Sequence, residues 1–153
     1  MSTPDTIERE IRIDAPVERV WALVSEPGWW INEGTVRPHR IEQRDGVSVV
    51  TDEKWGEFPI ETTEVVDQRT ISFRWLVNGD ADTNRQDAPE SSLLPTVVTF
   101  TLEPADGGTL VRVVERGFSG GDVADEVRQK AYEDNTEGWE TELGAAKKHV
   151  EGS

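Results

Sequence analysis

The sequence predicts an α+β domain in which an antiparallel sheet carries its helices on one face. From Val36 onward, short apolar runs alternate with polar residues and are divided by turn signals, the pattern of half-buried strands. The C-terminal part differs in kind. Val123, Val127, Ala131, Asn135, Trp139, Leu143, Ala146 and Val150 recur at three- and four-residue spacing, one face of a helix of about eight turns. An antiparallel sheet with its helices grouped on one side buries that stripe most simply.

Taken in order, Ile7, Ile11 and Ile13 mark an early strand within Thr6 to Asp14, with charged residues facing away. Pro16 opens a helix whose apolar face is Val17, Val20, Trp21 and Val24, because proline's missing N–H has no partner to lose in a first turn. Pro27 and Gly28 end it. Trp29–Trp30–Ile31 is expected to form a second short helix. Asp45–Gly46 is a hairpin signal between strands at Pro38 to Arg44 and Val47 to Asp52. Further strands are expected at Phe58 to Val66 and Thr70 to Leu76. A long polar loop, Asn78 to Ser92, follows, and such loops are functional or disordered. The clearest hairpin joins Pro95 to Leu102 and Thr109 to Gly117 through Glu103 to Gly108. The last helix begins near Asp122, with Asp125 and Glu126 at its start and Lys147, Lys148 and His149 at its end, charges that suit the helix dipole.

A chain of 153 residues has the length of one domain, taken here as 1–153 with a core at about 6–150. Cysteine is absent, which excludes disulfides, thiolate metal sites and a cysteine nucleophile. The 31 acidic against 16 basic residues, a formal charge of -15, oppose binding to a phosphate backbone, so no nucleic-acid partner is expected. MSTPDTIERE lacks a basic and apolar leader pattern, and no apolar run reaches bilayer length. A cytoplasmic location without membrane insertion is expected.

Four dispersed stretches carry a family likeness: IRIDAPVERVWALVSEPGWW at the front, TISFRW in the middle, VTFTLEPADGGTLVRVVERGF, and EGWETEL in the last helix. In their order and spacing the chain resembles the START-like (SRPBCC, birch-pollen-allergen-like) superfamily, and within it the family of homologues of the activator of heat-shock-protein-90 ATPase. The resemblance implies a helix-grip fold: a curved seven-stranded antiparallel sheet, two short N-terminal helices and a long C-terminal helix around an internal cavity. In that superfamily the cavity commonly holds apolar molecules, and some members are cyclases or hydrolases. The resemblance also sets Asp52 to Glu57, Val77 to Ser92 and Gly117 to Gly121 around the mouth. Glu115 stands where relatives often have histidine.

Candidate site residues follow from parity and spacing. With Val111 and Val113 inward on the last strand, Glu115 is inward too, and by the same counting Glu61 joins Thr63 and Val65. Asn135 interrupts the apolar helix stripe. Trp75, Phe100, Val113, Trp139 and Leu143 supply apolar walls, with Glu115, Glu61 and Asn135 as orienting polar contacts, as a small-molecule site requires. Trp55 beside Gly56 in a rim loop is expected to cover a pocket. The alternative for both glutamates is an edge position, in water or paired with arginine. Buried together, one of them would hold a proton at neutral pH and act as an acid or base.

Other motifs carry less. Gly117–Phe118–Ser119–Gly120–Gly121 matches the G-x-S-x-G pattern, but that elbow belongs to parallel-sheet hydrolases, and a turn into the last helix explains it better. His39 and His149 form no ligand-spaced pair, so neither metal nor cofactor is expected. Gly138, inside the helix, is expected to allow close approach of the sheet or leave ligand space beside Trp139, the alternative being a bend. The function expected is non-catalytic binding of an apolar or aromatic small molecule, as carrier or sensor. A cyclase or hydrolase using Glu115, and a chaperone-regulating interaction module, are the rivals. A monomer or weak dimer is expected, with a protein partner in the third case.

Overall fold

The computed structural model describes residues 5–32, 34–54, 56–75, 96–118 and 124–152. Period-two alternation produces seven strands: β1 (Thr6–Ile13), β2 (Arg40–Arg44), β3 (Val47–Asp52), β4 (Gly56–Val66), β5 (Thr70–Trp75), β6 (Val97–Ala105) and β7 (Gly108–Arg116). They form one sheet in the order β1-β7-β6-β5-β4-β3-β2, with every neighbour antiparallel. Helix α1 (Val17–Val24) follows β1, and α2 (Asp125–Glu151) closes the curved sheet in the helix-grip manner. Trp55, the Val77 to Ser92 loop and Ser119 to Gly121 lie outside the described residues.

Two tight turns set the hairpin registers. Asp45 and Gly46, and likewise Asp106 and Gly107, all have positive φ, which matches the right-handed twist of the flanking strands. The second turn is shorter than the loop expected from Glu103 to Gly108, since β6 and β7 stay paired as far as Ala105 and Gly108. Among the described residues there are two helices, where three were expected. Gly28 takes φ +75°, and the Asn32 amide donates to the Trp29 carbonyl at 2.7 Å. Those two features divert Trp29–Trp30–Ile31 into turns.

The core lies between the sheet and α2. Ile7, Ile13, Phe73, Val98, Phe100, Leu102, Val111 and Val113 face it from the strands, and Ala131, Trp139, Leu143, Ala146 and Val150 from α2. The helix is also fastened along β1. Arg9 pairs with Glu140 at 3.1 Å, and the Asp14 N–H donates to Glu151 at 2.7 Å. A Cβ at Gly138 would meet nothing within 4 Å among the described residues, which corrects the expected close approach of the sheet at this glycine. No described helix is long and apolar enough to cross a membrane.

Candidate functional site at the seam of sheet and helix

Glu115, the penultimate residue of β7, is 1% exposed, and its partners among the described residues are all uncharged. Alternation along β7 sends Val111, Val113 and Glu115 to the core face. On α2, Asn135 and Trp139 are four residues apart and therefore share a face. Both reach the same carboxylate. Oε1 accepts from Trp139 Nε1 at 2.8 Å and Asn135 Nδ2 at 3.0 Å; Oε2 accepts from Thr96 Oγ1 at 2.5 Å and Asn135 Nδ2 at 3.2 Å.

Burial pushes the Glu115 carboxyl above the usual carboxylate range, and the hydrogen bonds from Thr96, Trp139 and Asn135 pull against that rise. Desolvation is the stronger effect. The indole N–H can only donate, whereas the Thr96 hydroxyl can turn to accept and so can serve either protonation state. The arrangement is chemically able to hold a proton or release one.

Beside this carboxylate stands an aromatic group. Trp30 lies against Phe73, Trp75, Phe100 and Trp139 at centroid separations of 5.4, 5.7, 5.5 and 5.9 Å, and Trp75 meets Phe58 at 5.6 Å. Phe100 and Trp139 touch edge to face at 5.7 Å. Thus Trp75, Phe100, Val113, Glu115, Asn135, Trp139 and Leu143 are gathered at one seam, with Val113 and Leu143 buried. Trp55 is outside the described residues.

Glu61 departs from its expected place. It pairs with Arg74 on the side of the sheet away from the core, while Phe58 and Ile60 are buried. The cause is a bulge. The β4–β5 register shifts between Thr62 and Glu64, so one residue is inserted and parity changes. Glu61 and Val65 therefore fall on opposite faces, and Val65 is 55% exposed.

Three features of the site were not anticipated. Thr96 continues the inward series of Val98, Phe100 and Leu102, and parity along β6 was the signal that pointed to it. Trp30 was placed in a helix. The third is a pair of buried carboxylates that hold the chain between α1 and β2. Glu142 accepts from Asn32 Nδ2 and the Gly34 N–H, both at 3.1 Å. Asp52 accepts from Arg37 at 2.7 Å, from the Lys54 N–H at 2.9 Å, and from His39 Nε2 at 3.1 Å. His39 Nε2 also donates to the Ile31 carbonyl at 2.7 Å, since both of its partners are acceptors.

The seam geometry and strand order suit a helix-grip protein, and the family model described as "Activator of Hsp90 ATPase homolog 1-like protein" matches residues 14–151. The chain belongs to that family. Among solved structures, this family member is similar to protein MLL2253 from Mesorhizobium loti, with 22% identity, TM-score 0.68, and 97% of this chain and 98% of that one covered. It is similar to Aha1 from Colwellia psychrerythraea, solved as a dimer, at 19% identity and TM-score 0.60 over 95% and 96% of the two chains. DynU16, a putative protein in the dynemicin biosynthetic locus, matches at 19% identity and TM-score 0.65 over 97% of this chain and 48% of its own. At these identities the likeness is one of fold. Comparison with curated proteins gives no match.

Proposed function

We propose that this chain binds an apolar or aromatic small molecule between the sheet and α2, as a carrier or sensor. Phe100, Val113, Trp139, Leu143 and Trp75 supply the apolar surface; Glu115 and Asn135 orient the ligand. The observation that carries this reading is the Glu115 carboxylate, held out of water by uncharged donors from β7's neighbours and from α2, beside contiguous aromatic rings. Apolar surface with a few convergent polar groups is the composition of small-molecule sites. Native mass spectrometry of protein purified from its own host, with a titration by prodan, a neutral fluorescent naphthalene ketone, tests it. A retained small-molecule mass and saturable blue-shifted prodan emission are expected. Finding neither overturns this reading and favours surface interaction with a protein partner.

The raised proton affinity of Glu115 favours a second reading, a cyclase or hydrolase with this group as acid or base. The Glu115→Gln variant separates the two. An enzyme loses turnover of the co-purified compound, whereas a binding protein keeps most of its affinity.

A further inference from the structure

Resting on the binding reading above, we propose that Trp30 is a displaceable plug. Its indole occupies the place of the ligand, and the ligand is a planar two-ring aromatic that takes that place when Trp30 withdraws. The rings around Trp30 are of two kinds. Phe73 and Trp75 stand on β5, Phe100 on β6 and Trp139 on α2, all fixed by ladder or helical hydrogen bonds. Trp30 stands in turns between α1 and β2, so it can leave without breaking the sheet or α2.

The attachment of its segment is separate from the aromatic packing. Asn32 and Gly34 hang on Glu142, the Arg37 N–H donates to Asn32 Oδ1 at 3.0 Å, and the Ile31 carbonyl is held by His39. Besides these side-chain bonds, only turn bonds of the segment itself, Trp29 N–H to the Glu26 carbonyl and Ile31 N–H to the Gly28 carbonyl, are described near the ring, and none of them ties it to the sheet ladder or to the backbone of α2. Trp29 adds an independent sign. Its indole N–H is fully buried with no hydrogen-bond partner among the described residues, a costly state. Trp29 abuts both Trp30, at 6.2 Å, and Phe100, at 5.4 Å. A ligand with a hydrogen-bond acceptor on its ring system would supply what that N–H lacks.

Hydrogen exchange of the full chain with and without saturating prodan tests the plug. A ligand that merely fills space slows exchange around it. A ligand that evicts Trp30 does the reverse at the amides of Ile31, Gly34 and Arg37, which are expected to exchange about tenfold faster. A second measurement uses Glu142→Gln, which weakens the attachment and replaces none of the aromatic residues. If the site must open first, apparent affinity scales with the open fraction, and prodan is expected to bind about threefold or more tighter. Bound prodan with unchanged or slower exchange at those amides, or unchanged or weaker binding by Glu142→Gln, overturns the plug and leaves the binding reading standing. Prodan that does not bind at all overturns the plug and, where no small-molecule mass is retained either, the binding reading with it.

Discussion

Glu115 and Asp52 are carboxylates held out of water on strands of one sheet, yet they are accommodated by different means. Among the described residues, Asp52 accepts from an arginine, a histidine and a backbone N–H, and Glu115 from a threonine, an asparagine and a tryptophan. A charged partner fixes a carboxylate in its ionised form and makes it a fastening. Uncharged donors leave desolvation in command, and the proton affinity rises. One cluster sets its carboxylate against an arginine, the other among neutral groups that leave its proton affinity raised.

The comparison breaks most visibly at Asp52. Asp52→Ala leaves the Arg37 guanidinium and His39 partly or wholly buried without this acceptor, and a loss on the order of 3–5 kcal/mol is expected by urea denaturation. Glu115→Gln, with only neutral donors to disappoint, is expected to cost about 1–2 kcal/mol. A loss at Glu115 as large as that at Asp52 would erase the distinction.

A pH series sharpens it. Because the folded-state pKa of Glu115 lies above its unfolded value, the native state binds the proton more tightly. Its contribution is fully present below the unfolded pKa and declines as pH rises from there through the raised folded value. Melting curves at stepped pH are expected to show the wild type losing stability relative to Glu115→Gln as pH climbs above about 4.5. A constant difference would mean that the carboxyl titrates alike folded and unfolded. The smallest effect is expected at Gly138, whose absent Cβ would meet open space: Gly138→Ala should raise stability by about 1 kcal/mol. If ligand occupies that space, the same variant weakens prodan binding.

The strands and the last helix were legible because one residue type repeats there at a fixed interval. Glu115, Asn135 and Trp139 were legible for the same reason, since parity along β7 and four-residue spacing on α2 converge on one point. The same counting failed at Glu61, where the inserted residue at the β4 bulge reversed the faces. It had nothing to act on between α1 and β2. Asn32 meets Glu142 across 110 positions of sequence, and both are polar residues in no repeating pattern. Trp29 and Trp30 read as helical because local composition allowed it. What decided against a helix was the positive φ at Gly28 and a side chain from Asn32.

The strand order has a consequence for synthesis. Every adjacent pair in the sheet is also consecutive in sequence except β1 and β7, where Ile7 meets Glu115. The ribosome therefore releases β1 about a hundred residues before β7, its ladder partner among the described residues, emerges. Through that interval Ile7, Ile11 and Ile13 lack the strand they pair with in the folded sheet, and an unpaired apolar strand is open to mispairing. Of these seven strands, the first made is the last to be paired.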